Sequence, residues 1–203
     1  MIDGLMKSTI DPLWEAMATP LVKARLTPNQ VTFIGLVLIL LVSLAYLWHQ
    51  SPALYGATLI VAFVFDALDG AVARRRNMST KAGGYFDAMV DRYQELAVLA
   101  TLAHIHDAWP LALACFSGSI ITSYAKARTA IEMPVSNTDW PDFFERMERV
   151  IYLCAMLLIA GVLGDTAILW GLAGFAILAH VTALQRARRA TQMLRAQDAS
   201  SDE

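Results

Sequence analysis

Residues 26–65 read LTPNQVTFIGLVLILLVSLAYLWHQSPALYGATLIVAFVF, a run of 40 residues without one Asp, Glu, Lys or Arg. A helix that crosses a bilayer needs about 20 apolar residues. The run is long enough for two crossings, with His49-Gln50-Ser51-Pro52 as the turn between them. Two further runs repeat the pattern: Leu96–Ala125 carries only Asp107 in 30 residues, and Val150–Gln185 carries only Asp165 in 36. The three runs predict an all-α integral membrane protein with six transmembrane helices, over about 27–48, 53–76, 83–104, 109–131, 143–161 and 166–187. Composition agrees. The chain is 57% apolar and 17% charged, against roughly 25% charged in soluble domains.

Six spans use most of the 203 residues, so the expected layout is one membrane domain and no soluble one. Residues 1–25 read as an interfacial amphipathic segment. There Ile2, Leu5, Met6, Ile10, Leu13, Trp14, Met17 and Leu21 recur at helical spacing, and Pro12 and Pro20 are expected to break or start helices. Residues 26–190 form the six-helix domain. Residues 191–203 form a polar cytosolic tail, expected to fray after Arg189. Asp3, Asp11 and Glu15 interrupt the N-terminal segment, which does not read as a cleaved signal peptide. A net charge of −2 gives no reason to expect nucleic acid. Cys115 and Cys154 lie in apolar runs and read as buried small residues, not as a disulfide.

Orientation follows from the 16 basic residues. Lys7, Lys23 and Arg25 precede the first span. Arg74, Arg75, Arg76, Lys81 and Arg92 surround the 2–3 loop, and Lys126, Arg128, Arg146 and Arg149 flank the 4–5 loop of residues 133–142. Arg186, Arg188, Arg189 and Arg195 follow the last span. The three opposite turns carry none. Lys and Arg are in excess in cytoplasmic loops, so both termini and both of these loops are expected in the cytosol, with the membrane the inner or plasma membrane if the cell is bacterial.

Chemistry concentrates in Asp66-Ala67-Leu68-Asp69-Gly70-Ala71-Val72-Ala73-Arg74 and, eight residues on, Gly83-Gly84-Tyr85-Phe86-Asp87-Ala88-Met89-Val90-Asp91. Asp66 and Asp69 are three apart, Asp87 and Asp91 four apart, so each pair shares a helix face. Gly70, Ala73 and Gly83 keep those faces small enough for close approach. At about 1.5 Å per residue both pairs lie roughly 12–15 Å from the 2–3 loop. The four carboxylates are therefore expected to meet just inside the cytosolic boundary. A bare Asp at a span centre costs roughly 2.5–3.5 kcal/mol, and hard divalent cations such as Mg²⁺, Mn²⁺ or Ca²⁺ relieve that cost. A charge network with Arg74 and Arg92, or an ion pathway, is the alternative.

These residues resemble the signature of the CDP-alcohol phosphotransferases, Asp-x-x-Asp-Gly-x-x-Ala-Arg-x8-Gly-x3-Asp-x3-Asp, at all eight fixed positions. The resemblance implies a six-helix membrane domain, typically dimeric. It implies two Mg²⁺ or Mn²⁺ ions on Asp66, Asp69, Asp87 and Asp91, with Asp91 also the general base. The implied reaction moves a phosphatidyl or similar group from a CDP-linked donor, such as CDP-diacylglycerol, to an alcohol and releases CMP. Gly70, Ala73, Arg74, Thr80 and Gly83 would contact the CDP part, with Asp69 beside them. Pro28-Asn29-Gln30-Val31-Thr32 resembles the family's Pro-Asn-x-x-Thr element at the nucleotide. Such a polar pair at a helix start is otherwise a cap.

The acceptor is a water-soluble alcohol. Ser123-Tyr124-Ala125-Lys126-Ala127-Arg128 and Glu145-Arg146-Met147-Glu148-Arg149 resemble the branch that makes phosphatidylinositol phosphate. That branch implies that Lys126, Arg146, Arg149 and Arg186 hold the acceptor's phosphate, although positive-inside bias alone would also place basic residues here. Met147 stands where that branch has proline, and glycerol 3-phosphate, serine or another alcohol remains an alternative acceptor. A membrane prenyltransferase and a transporter are the rival classes. His49, His104, His106 and His180 read as turn or core residues, and Gly161, Gly164, Gly171 and Gly174 as sites of close helix packing.

Overall fold

The computed structural model describes residues 7–135 and 143–201, and every regular element among them is an α-helix. The helices are α1 (Lys7–Lys23), α2 (Pro28–His49), α3 (Pro52–Asp66), α4 (Leu68–Arg75), α5 (Lys81–His106), α6 (Trp109–Glu132), α7 (Arg146–Leu163) and α8 (Thr166–Ser201). Ile2, Leu5 and Met6 of the N-terminal segment, and residues 136–142 of the 4–5 loop, lie outside the described residues.

Local sequence explains the boundaries. Thr27 caps α2 in a capping box: the Gln30 N–H donates to Thr27 Oγ1 and the Thr27 N–H to Gln30 Oε1 at 2.8 Å, with Pro28 opening the helix. Ser51 Oγ accepts from the Leu54 N–H at 3.5 Å to cap α3, and Pro52 opens it. Thr80 caps α5, its Oγ1 accepting from the Gly83 N–H at 3.0 Å. At the far ends, Gln50 and Asp107 close α2 and α5 in the left-handed conformation.

Three departures from the sequence reading are clear. Pro12 and Pro20 do not break α1, which runs unbroken through both. The tail does not fray at Arg189, because α8 continues to Ser201. Residues 190–201 hold no Gly or Pro and include the strong helix formers Ala, Gln, Met, Leu and Arg. Gly164 does not pack against a neighbouring helix; it ends α7 at φ +87°, with open space where a Cβ would stand. Gly161 does pack: an added Cβ would lie 2.4 Å from that of Ala53.

The long helices pair side by side, α6 along α8, α2 along α5 and α3 along α7. A continuous apolar core fills the space between them, from Ile39 and Leu59 through Leu99 and Leu102 to Leu157 and Phe175. Cys115 and Cys154 are buried and free, as read from sequence. A second, smaller core holds α1 against α4, with Ala18 facing Leu68, Ala71 and Val72. Arg75 Nη1 donates to the Glu15 carbonyl at 2.8 Å and Arg76 Nη1 to the Leu26 carbonyl at 2.6 Å. The N-terminal segment is thereby docked on the short helix that carries Asp69.

Outside the core the waist is apolar: Leu41, Leu44, Val61, Leu113, Ile159, Ile177 and Leu184 are all exposed. Helix α2, the α3–α4 segment Pro52–Arg75 and the segment Thr166–Ala199 are each long and apolar enough to cross a membrane.

Candidate active site

The start of α2 is free for binding because its cap is made elsewhere. Thr27 and Gln30 satisfy the helix terminus, which leaves Asn29 and Thr32 for other partners. Thr32 Oγ1 donates to Asp69 Oδ2 and to the Pro28 carbonyl. The cap of α2 is thus made by Thr27 and Gln30, not by Asn29 and Thr32.

A cleft of about 220 Å³ opens beside it. Its walls are Pro28, Asn29 and Thr32 of α2; Asp69, Gly70, Ala73 and Arg74 of α4; and Thr80, Gly83 and Asp87 around the start of α5, with Met78, Ser79 and Gly84 completing them. Every residue that the resemblance assigns to the CDP donor lines this one cleft. Gly83 keeps the cleft uncrowded, since a Cβ there would stand 3.1 Å from Thr80 Oγ1 and 3.4 Å from Asn29 Oδ1.

The aspartates divide into two groups. Helix α3 ends at Asp66, and the chain passes through Ala67 into α4. Asp69 consequently faces the cleft and Thr32, while Asp66 faces the bundle. Asp66, Asp87 and Asp91 each present a carboxylate oxygen within 4.8 Å of the others. Asp87 belongs to both groups, as it also lines the cleft.

Asp66 is 2% exposed and held on both oxygens. Gln94 Nε2 donates to Oδ1 at 2.8 Å and Arg146 Nη2 to Oδ2 at 2.9 Å. Gly35 makes room for it: a Cβ at that position would lie 2.5 Å from Asp66 Oδ1 and 3.1 Å from its Cα. Asp91 pairs with two arginines. Its Oδ1 accepts no directed hydrogen bond and sits 2.6 Å from Arg146 Nη2, while Oδ2 is 3.7 Å from Arg92.

Among the described residues, three of the cations read as acceptor ligands, Arg146, Arg149 and Arg186, have different partners. Arg146 reaches into the carboxylates, with Gln94 Oε1 as a further acceptor at 2.7 Å. Arg149 is 2% exposed and pairs with Glu95 at 2.7 Å. Arg186 donates to the Thr122 carbonyl at 2.7 Å and to Glu145 at 2.9 Å. Arg146 and Arg149 share a small cavity with Asp91 and Glu95, and neither Lys126 nor Arg186 lines it. Of the alternative charge network, Arg92 lies 3.7 Å from Asp91, and Arg74 lines the cleft.

The family model described as CDP-alcohol phosphatidyltransferase matches residues 25–184. The chain belongs to the CDP-alcohol phosphatidyltransferase family. It is a transferase that moves a group from a CDP-linked lipid to an alcohol, which sets aside the prenyltransferase and the transporter. The archaetidylinositol phosphate synthase of Pyrococcus horikoshii is 32% identical over 195 residues, 96% of this chain and 98% of that protein. The phosphatidylinositol phosphate synthase of Mycobacterium tuberculosis with CDP-DAG bound has the same fold, with a TM-score of 0.75 at 26% identity over 88% of this chain and 94% of that one. The same enzyme in complex with manganese and citrate aligns with a TM-score of 0.74 at 25% identity, over 87% and 88%. The chain is accordingly an integral membrane protein of this family.

The residues present fit a divalent metal. The donor set is all carboxylate oxygen, it converges from two helices, and the guanidinium of Arg146 already stands among the oxygens as a cation. Three residues of this phosphatidyltransferase site escaped the sequence reading: Gly35, Gln94 and Glu95. A signal existed for two of them. Gln94 and Glu95 follow Asp91 by three and four residues, so they continue the aspartate face of α5. Glu95 is also an ionisable residue within a predicted span, costly without a partner. Gly35 gave no signal, because nothing in its spacing shows what packs against it.

Proposed function

We propose that this chain transfers the phosphatidyl group of CDP-diacylglycerol to a hydroxyl of inositol phosphate and releases CMP, on the cytosolic face of the membrane. One observation carries the reading: the cleft lined by the CDP-signature residues runs, through Asp87, into the carboxylate cluster. The reacting phosphorus of a donor lying in the cleft would then meet the acidic residues at its inner end. The inositol phosphate acceptor is supported by the named relatives and by the Lys126 and Glu145–Arg149 elements.

In this proposal Asp66, Asp69, Asp87 and Asp91 hold two Mg²⁺ or Mn²⁺ ions. Such ions neutralise charge on the diphosphate and on departing CMP. The acceptor oxygen forms its bond to the lipid-linked phosphorus, the bond from that phosphorus to the CMP oxygen breaks, and Asp91 accepts the hydroxyl proton. Arg74 adds a fixed positive charge at the donor. Asp91 takes the base role as the last aspartate of the family signature; its Oδ1 lies 2.6 Å from Arg146 Nη2, itself a candidate ligand of the acceptor's phosphate. Lys126, Arg146, Arg149 and Arg186 are the candidate ligands of the acceptor's phosphate. The six spans, the interfacial role of 1–25, cytosolic termini and a homodimer complete the proposal.

The test is acceptor-dependent CMP release from CDP-diacylglycerol with Mg²⁺, offering inositol 1-phosphate, glycerol 3-phosphate, free inositol and serine. Inositol 1-phosphate is expected to be preferred, and Arg146→Ala to raise its KM roughly ten- to hundredfold, the loss of one charge-assisted contact. Equal turnover with an uncharged alcohol, untouched by Arg146→Ala, would leave the family reaction standing and overturn the inositol phosphate assignment.

A further inference from the structure

Arg146 differs from the other arginines at this end of the bundle in what holds it. Arg149 and Arg186 are 2% and 5% exposed and are fixed by partners outside the carboxylate cluster, namely Glu95, Glu145 and the carbonyls of Phe144 and Thr122. The Arg146 side chain is 32% exposed. Its Nη2 meets Asp66 Oδ2 at 2.9 Å, Asp91 Oδ1 at 2.6 Å and Gln94 Oε1 at 2.7 Å. A single nitrogen is thus shared between two carboxylates that the proposed function assigns to metal. Arg146 is also the first residue of α7. A long side chain at a helix start can swing away without disturbing the helix behind it.

We propose that Arg146 is a built-in competitor of the metal: its guanidinium neutralises Asp66 and Asp91 until a divalent ion takes the same oxygens and displaces it. This rests on the reading of those two aspartates as metal ligands. The chemistry favours such an exchange. Buried carboxylates this close repel one another without a cation between them, and the guanidinium of Arg146 stands there as one. A dication bound to the same oxygens would face a full positive charge a few ångströms away, a repulsion strong in a site shielded from water. Gln94 supports this pairing, because its amide donates to Asp66 and accepts from Arg146 at once. Displacement frees the guanidinium to turn toward Arg149 and the cavity they share. Acceptor recognition through Arg146 then follows metal loading and cannot precede it.

The experiment uses the full chain in detergent, without donor or acceptor. Mn²⁺ binding is read from the EPR signal of the free ion, and thermal unfolding is recorded in EDTA and in Mn²⁺. Arg146→Gln is expected to bind Mn²⁺ at least about tenfold more tightly than wild type, since a nearby charge is removed. It is also expected to melt lower than wild type in EDTA and to gain more from Mn²⁺. A second measurement needs no variant: phenylglyoxal modification of wild type, followed by mass spectrometry. Arg146 should react several-fold faster in Mn²⁺ than in EDTA, with Arg149 unchanged. Equal or weaker Mn²⁺ binding by Arg146→Gln, or Arg146 labelling that Mn²⁺ does not accelerate, would overturn the competition while leaving the metal site intact. Absence of Mn²⁺ binding in both proteins would overturn the metal assignment and the competition with it.

Discussion

Asp66 owes its position to an absence. Gly35 lets α2 and α3 come so close that a methyl group at residue 35 would press on Asp66 Oδ1, Cβ and Cα at once. Backbone and Cβ atoms cannot swing aside as a side-chain tip can, so the helices themselves must part. Overpacking of this kind costs about 1–3 kcal/mol. Here the strain falls on a carboxylate that Gln94 and Arg146 hold in place. Gly35→Ala is therefore expected to lower kcat at least about tenfold while the protein still folds, measured as CMP release alongside a melting curve. Asp91→Asn makes a contrasting case at the same scale. The amide keeps the volume but takes no proton, so turnover should vanish while CDP-donor binding by calorimetry persists. Near-normal turnover in Asp91→Asn would remove Asp91 from the base role.

Helix α5 presents Asp87, Asp91, Gln94 and Glu95 toward the site, and the last three tie it to neighbouring helices. Asp91 and Gln94 meet α7 through Arg146, Gln94 also meets α3 through Asp66, and Glu95 meets α7 through Arg149. The Glu95–Arg149 pair is buried on both sides, at 9% and 2% side-chain exposure. Removing one partner of a buried pair leaves an uncompensated charge and costs roughly 3–5 kcal/mol, whereas replacing both by apolar groups is often neutral. Glu95→Leu alone should sharply lower the melting temperature in detergent, and Glu95→Leu with Arg149→Met should recover part of it, because Arg92, 3.2 Å from Glu95, still loses that partner. A double variant as unstable as the single one would show that the pair does more than neutralise itself. Much of this scale was legible in advance. Charge-free runs marked the helices, and period-three and period-four spacing put the aspartates on shared faces. Partner choice was not legible. Arg146 and Arg149 are three residues apart, with the same charge and the same motif, yet one enters the aspartates and the other locks onto Glu95. That difference is set by how α7 rotates against α3 and α5, which no local pattern records. The helical tail was misread for a simpler reason: polarity was taken as disorder where propensity favoured helix.

Across the whole molecule the surface is sorted by chemistry along the helix axes. Basic residues cluster where α2 and α5 begin and where α4 and α6 end, together with the carboxylate site. Trp48, Trp109 and Trp170 are exposed at the opposite helix ends, and exposed Leu, Ile and Val fill the interval. Tryptophan belongs at membrane–water interfaces and Lys and Arg on the cytosolic side, so the arrangement supports an orientation with the site inward. Helix α8 offers the sharpest test because it is the longest single rod. Its 36 residues extend about 54 Å at about 1.5 Å each, well beyond a hydrocarbon core of about 30 Å. Asp165, just before its start, and Ala199, near its end, are both exposed and must emerge on opposite sides if α8 crosses. Native Cys115 and Cys154 are buried and should stay silent toward a bulky impermeant maleimide. In intact cells Asp165→Cys is expected to react with that reagent, and Ala199→Cys to react only after permeabilisation. Reaction at Ala199→Cys alone would invert the orientation, and reaction at both from outside would mean that α8 does not cross the membrane.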